Sequence, residues 1–211
     1  MSGVEARNWR DLYGFLPDWA IVNMIREEII GIDPLNGRWE EDMGTVSVDF
    51  HLGKRVRTSK STDSIDVKVG VKPGEYDLVE LSKGDVYIFS PTVLAIAEVQ
   101  EHLTLPNDVI AFVEGKSSLA RLGLVVHLTA GRFDPGWDGT PVMEFLNNGS
   151  REIIVPYGWP ICAFTFYRMM SNVDRPYSRR GRYFGVNDIH SLVQKEGING
   201  ERLVGNKKKS I

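Results

Sequence analysis

Cysteine is almost absent from this chain: Cys162 is the only one in 211 residues, so no intrachain disulfide is available to it. Long apolar runs are missing as well. No stretch approaches the roughly 18 residues that cross a bilayer, and the opening Met1-Ser2-Gly3-Val4-Glu5-Ala6-Arg7 lacks the apolar centre of a signal peptide. These absences predict a cytoplasmic protein, or one of host cytoplasm if its source is viral, with no membrane partner. Charge of one sign is not in excess either. The 25 Lys and Arg against 28 Asp and Glu leave a net charge of −3, which removes any general attraction to nucleic acid. A basic site must therefore be local. Internal repeats and low-complexity tracts are lacking too. What remains, 42% hydrophobic and 25% charged, is ordinary for one compact domain with a real core.

The hydrophobic pattern begins helical. Between Leu16 and Ile30, residues Ile21, Met24, Ile25 and Ile29 recur at spacings of three and four, Asp18 beside Pro17 marks a start, and Gly31 with Pro34 marks an end. From about residue 45 the period becomes two. Val46, Val48 and Phe50 alternate with Ser47, Asp49 and His51, and β-rich runs follow at 85–90, 93–99, 108–113, 142–146, 152–155 and 161–167. Asn147-Asn148-Gly149 and Pro156-Tyr157-Gly158-Trp159-Pro160 read as turns, and Lys60 to Ser64 as a loop. The fold class is mainly β, a sandwich or barrel with a helical N-terminal segment. Residues 1–170 are read as a single domain and 171–211 as a tail. The tail carries Arg175, Arg179, Arg180 and Arg182 and a triplet of Lys207, Lys208 and Lys209. It is either a solvated segment or a lid that orders on a ligand.

Chemistry-bearing residues concentrate between positions 115 and 146. Gly115-Lys116-Ser117-Ser118-Leu119-Ala120-Arg121 leads from a strand into a single helical turn. Its amides and the hydroxyls of Ser117 and Ser118 suit an anion, and Arg121 adds a charge-assisted contact of roughly 1.5–3 kcal/mol. The other reading is a capped turn with a surface arginine. A Walker A loop is rejected, because it needs glycine where Ile110 stands. Asp134 lies in a turn set by Pro135 and Gly136, where an aspartate by itself is more often a turn former. Glu144 interrupts the apolar strand from Val142 to Leu146. It either faces solvent from an edge or is buried with a purpose, and burial, which disfavours a charged carboxylate, suits a group that takes a proton and returns it.

Together these segments resemble the dCTP deaminase branch of the dUTPase-like superfamily over most of the chain. The family pattern Gly-Arg-Ser-Ser-Leu-Ala-Arg-Leu-Gly is similar to residues 115–123. Thr-Ala-x-x-Ile-Asp-Pro-Gly-Trp/Phe-x-Gly is similar to 129–139, and Leu-Glu-x-x-Asn to 143–147, with Met143 for Leu. Upstream, Leu16-Pro17-Asp18-Trp19-Ala20-Ile21 resembles the opening Leu-Ser-Asp-x-x-Ile. Val46 to Gly53 resembles Ser-Val-Asp-x-x-Leu-Gly, and Leu103-Thr104-Leu105-Pro106 also fits. The resemblance implies a distorted β-barrel of the β-clip, jelly-roll-like kind, with short N-terminal helices. It implies a homotrimer with active sites shared between subunits and a Mg²⁺-bound nucleoside triphosphate as ligand. The implied reaction is hydrolytic deamination of dCTP to dUTP and ammonia, feeding dUTP and dUMP into thymidylate synthesis, with dTTP as an inhibitor.

Carried over residue by residue, the resemblance makes Glu144 the general acid/base, with Ser117, Arg121 and the carbonyl of Ala130 orienting the attacking water. Lys116, Ser117, Ser118 and Arg121 would hold phosphates, with Leu119 and Ala120 in the same binding loop. Asp134 would sit by the deoxyribose with Arg132 near it, and the backbone of Val142 and Met143 would face the base. Tyr177, Arg182 and Val186 would contribute from the tail. No zinc is implied: zinc-dependent cytosine deaminases use His-x-Glu and Pro-Cys-x-x-Cys, and one cysteine with no His-x-Glu cannot build that set. His51, His102, His127 and His190 read as structural or surface residues. Two departures stand out. Lys116 replaces the family's arginine and loses its bidentate fork. Val186 stands where the family has a glutamine that closes over the base, so either Gln194 substitutes or the preference shifts, for instance to a 5-modified cytosine. In plain dUTPases the turn aspartate is the base, so Asp134 keeps a bifunctional deaminase/diphosphatase and a dUTPase open. Arg132 and Trp137 favour deamination alone, whereas Gly131 is found in bifunctional members. A non-catalytic nucleotide-binding protein is the third reading.

Overall fold

Ala20, Ile21, Met24 and Ile25 fall on one face of helix α1 (Asp18–Arg26) and are all buried. The computed structural model describes residues 8–195 other than 36–38, 68 and 73. Residues 1–7, the lysine triplet at 207–209 and the side chains of 193–195, Gln194 included, lie outside the described residues. The apolar pattern predicts that α1 continues to Ile30, but it ends at Arg26. Glu28 adopts the left-handed conformation (φ 57°), the Ile29 amide donates to the Met24 carbonyl at 2.8 Å, and the Glu28 amide to that of Ile25 at 3.0 Å. That is a Schellman stop made without glycine, and it frees residues 31–33 to form a strand.

The strands are β1 (Gly14–Phe15), β2 (Gly31–Asp33), β3 (Ser47–Ser59), β4 (Tyr76–Glu80), β5 (Val86–Phe89), β6 (Leu94–Val99) and β7 (His102–Thr104). They continue as β8 (Val109–Gly115), β9 (Leu124–Val126), β10 (Arg132–Phe133), β11 (Asp138–Gly139), β12 (Val142–Asn147), β13 (Ile153–Pro156) and β14 (Pro160–Arg168). Three further short α-helices are α2 (Ser117–Ala120), α3 (Tyr177–Arg180) and α4 (Ile189–Lys195), and 3-10 turns span Trp9–Asp11 and Trp39–Asp42. Among the described residues no helix is long and apolar enough to cross a membrane.

The main sheet runs β10-β8-β14-β3-β6-β12-β9, with β1 on β14 and β4 on β3. Separate small sheets are β11-β7-β2 and β13-β5. The main sheet curls into a half-barrel, so that β8 near one end meets β9 at the other: a Cβ on Gly115 would lie 3.6 Å from that of Val126. Inside the curl pack Phe50 and Phe164 (centroids 4.3 Å), Phe133 against Phe164 (5.0 Å) and Phe89 against Phe145 (5.6 Å). Each such ring contributes roughly 1.5–3 kcal/mol by leaving water. At Gly53 the register between β3 and β6 shifts, and any Cβ there would fall 2.6 Å from the Glu98 and Val99 carbonyl oxygens. Only glycine permits that approach.

Candidate active site

The anion loop is built where β8 ends. Lys116 caps α2 with its backbone carbonyl, which accepts from the amides of Leu119 (3.0 Å) and Ala120 (2.9 Å). Leu119 is buried and pins the turn, while Ser117, Ser118, Ala120 and Arg121 are exposed. The first amides of such a turn have no helical acceptor and point outward. Lys116, Ser117 and Ser118 line an open cleft of about 330 Å³ together with Asp42, Ser47 and Asp49. The Lys116 ammonium is ion-paired with Asp49.

In the sequence Asp49 stands out by the alternation of β3 and by the Ser47-Val48-Asp49 motif, whereas no pattern marks Asp42 or Glu101. Asp49 and His51 alternate with buried Val48 and Phe50 along β3, so both project from the face opposite the core. His51 Nδ1 meets Glu101 Oε1 at 2.6 Å, and its Nε2 lies 3.4 Å from Asp42 Oδ1. The hydrogen bond to Glu101 raises the His51 pKa above the usual histidine value, against the opposing effect of burial. The structural reading of His51 fits this setting. The alternation of polar and apolar residues in β3 was the available signal for the pair.

The Asp134 turn is held from below by rings. Phe133 packs edge-on against Trp137 (4.8 Å), and Trp137 meets Tyr177 of α3 at 5.0 Å. Pro135 accepts from the Tyr177 amide at 2.8 Å. Burial raises the Tyr177 pKa, and its hydroxyl oxygen accepts from the Tyr183 amide at 3.0 Å. Asp134 itself is paired with Arg132, Nε to Oδ1, at 2.7 Å on an open surface. The tail then crosses β11: the Gly185 amide donates to Asp138 O (2.9 Å), and the Thr140 amide to Val186 O (2.7 Å). Any Cβ on Gly139 would fall 2.6 Å from that Val186 oxygen. The described part of the tail is therefore packed onto the half-barrel, with Val186 and Ile189 both 1% exposed. Arg182 is exposed, its guanidinium 5.6 Å from the Tyr183 ring centre.

Glu144 lies in β12 between buried Met143 and Phe145 and so projects from the other face, with Val142 and Leu146. It is half-buried rather than enclosed. Ile96 of β6 stands directly across from it, and the exposed Leu94 and Val125 stand across from Leu146, two residues further along β12. One strand further on, in the same register, stands Arg57, which is buried and lies over the Tyr76 ring. Among the described residues Glu144 has no hydrogen-bond or ion-pair partner, and nothing joins it to Ser117 or Arg121 within one chain. What links those regions is the turn after β12: the Asn148 amide donates to Gly123 O at 2.8 Å, just beyond Arg121.

The structure thus gathers Lys116, Ser117 and Ser118 at one cleft, and Arg132, Asp134, Tyr177 and Val186 along the tail. Val142 and Glu144 share one strand face. Ala130 is exposed beside Gly131, whose carbonyl accepts from the Val113 amide at 2.8 Å. The side chains of Leu119, Met143 and Val186 are buried in the single chain.

A family model described as dCTP deaminase-like matches residues 15–169. The chain is 37% identical over 174 residues to the dCTP deaminase of Shewanella frigidimarina (strain NCIMB 400), covering 78% of this chain and 89% of that protein. It is 33% identical over 189 residues to that of Idiomarina loihiensis, covering 84% and 94%. Among solved structures, the 2'-deoxycytidine 5'-triphosphate deaminase from Agrobacterium tumefaciens superposes with a TM-score of 0.59 at 20% identity, a likeness of fold. That match covers 77% of this chain and spans 51%, about half, of the Agrobacterium chain. The motif-bearing turn, the carboxylate strand and these matches place the chain in the dCTP deaminase-like family.

Proposed function

We propose that this chain catalyses the hydrolytic deamination of dCTP to dUTP and ammonia. The observation that carries the reading is Glu144, a half-buried, unpaired carboxylate on a strand face of otherwise apolar residues. In the proposed step Glu144 takes a proton from water as the oxygen bonds to C4 of cytosine and passes it to N3. Glu144 then moves the remaining hydroxyl proton to N4, so that the C4–N4 bond breaks, the C4 carbonyl forms and ammonia leaves. Ser117, Arg121 and the Ala130 carbonyl orient the water. Lys116, Ser117, Ser118 and Arg121 hold the triphosphate, which brings its own Mg²⁺ as part of the substrate. Asp134 and Arg132 meet the sugar, and the backbone of Val142 and Met143 reads the base. Because the Val186 side chain is buried and apolar, that edge has no side-chain partner from position 186, and a 5-substituted cytosine nucleotide becomes an alternative substrate.

Homotrimeric sites shared between subunits are part of the proposal. Its support is that, among the described residues, no hydrogen bond or ion pair joins Glu144 to the anion loop, while the exposed Leu94 and Val125, which flank Leu146 on the same sheet, leave apolar surface open. The tail from residue 171 is proposed as the lid, its arginines facing the phosphates. The Arg132–Asp134 ion pair engages the carboxylate that a diphosphatase would need as a base, which favours deamination alone over bifunctional chemistry. The test is incubation of the pure protein with Mg²⁺ and each deoxynucleoside triphosphate, with products identified by mass. Ammonia and dUTP from dCTP are expected. Pyrophosphate would establish the diphosphatase reading, and no turnover of any nucleotide would leave a binding protein.

A further inference from the structure

The tail is fastened at two ends. Near the Asp134 turn, Tyr177 is held by Pro135 and Trp137. The far fastening is Glu98, a carboxylate of β6 that stands opposite Val142 in register and is only 5% exposed. It has no part in the proposed chemistry, and a buried charge is costly unless it is paired. Among the described residues its partners are two. Oε2 accepts from the Ile189 amide at 3.1 Å, and Oε1 accepts from Arg55 Nη1 at 3.4 Å. The same guanidinium nitrogen lies 3.4 Å from Asp188 Oδ2. Asp188 in turn starts α4, with Oδ1 accepting from the Ser191 amide at 2.8 Å and the Ser191 hydroxyl oxygen accepting from the Asp188 amide at 3.1 Å.

We propose that Glu98 is a positioning residue: by fastening Ile189, and Asp188 through Arg55, it holds residues 179–186 against residues 135–142. Residues 135–142 run in sequence from the Asp134 turn to the start of the strand that carries Glu144. What is positioned there, a deoxynucleoside triphosphate, rests on the deaminase reading. The fastening itself does not. Arg179, Arg180 and Arg182 are exposed in the span between the two anchors, so the anchor sets where three guanidinium groups can meet phosphates.

The experiment compares the full-length protein with its Glu98→Ala, Glu98→Gln and Asp188→Ala variants by amide hydrogen exchange without nucleotide and by steady-state kinetics. Loss of a charged hydrogen bond predicts exchange at residues 185–189 faster by roughly tenfold or more in Glu98→Ala and Asp188→Ala. KM for dCTP should rise by a similar factor, with kcat changed far less. Glu98→Gln keeps an acceptor for the Ile189 amide and falls between. If Glu98→Ala does not fold, Asp188→Ala carries the test, since it alters the tail and leaves the sheet intact. Unchanged exchange at 185–189 overturns the anchor, and a released tail with unchanged KM overturns the positioning role. Because the exchange arm needs no substrate, its failure is distinct from a failure of the protein to deaminate dCTP.

Discussion

Replacing Asn147 with alanine tests how the end of the carboxylate strand is tied to β5 and to the turn that follows it. The side chain is fully buried, its amide donates to Phe89 O and to Arg151 O, both at 2.7 Å, and its oxygen accepts from the Gly149 amide at 2.9 Å. Truncation strands the Phe89 carbonyl in the core at a cost of about 1–3 kcal/mol, and each of the two half-buried bonds adds roughly 0.5–1.5 kcal/mol. The sum, about 2–6 kcal/mol, lowers a urea midpoint by roughly 1–3 M at a slope of about 2 kcal/mol/M, within the range usual for small proteins. Asn147→Asp should be worse at neutral pH, although it keeps the oxygen that Gly149 needs. A carboxylate there presents lone pairs, not N–H groups, to two carbonyl oxygens. The assay is urea unfolding by tryptophan fluorescence at one fixed protein concentration, with the slope compared between variants. An aspartate variant as stable as the alanine one, or an alanine variant within about 0.5 kcal/mol of the parent, a surface-like effect, refutes the reasoning.

Other outcomes follow from the same geometry. The His51 pKa is raised from the ordinary 6.5, chiefly by Glu101, so its stabilisation is complete below 6.5 and is lost as pH climbs through the raised value. The stability gap between the parent and His51→Gln should shrink over that window, and a gap independent of pH contradicts the pairing. Gly139→Ala puts a Cβ 2.6 Å from Val186 O and should speed proteolysis after residue 171 without moving the core unfolding transition. Equal cleavage rates would show that the tail tolerates the methyl. Lys116→Ala should weaken dCTP binding roughly 10- to 100-fold, the range of one charged contact. Calorimetry on an inactive background measures it, and an unchanged affinity removes Lys116 from the phosphate site.

How much was legible in the sequence depended on whether a residue's role was local. Strands β3, β6, β8, β12 and β14 carry enough alternation to be read directly, and the Gly115 turn was read as one helical turn, as found. The end of α1 was not legible, because Glu28 makes the left-handed stop that glycine usually announces. Strands β9, β10 and β11, of two or three residues, are too short to show a period. They exist because longer neighbours offer them hydrogen-bond partners. Glu144 was found by its isolation among apolar residues, yet its half-open setting depends on which face of β12 the core takes. The Asp49–Lys116 pair and the Glu98 anchor join residues 67 and 91 positions apart in sequence, and no short-range pattern encodes them.

The central claim is that Glu144 moves the protons of deamination. Ammonia release from dCTP by Glu144→Gln, in a variant that still folds and binds dCTP, tests it most directly. The account predicts a kcat lower by roughly 10²- to 10⁴-fold, the usual cost of losing a general acid/base, with nucleotide affinity retained. Turnover within a few-fold of the parent would contradict it.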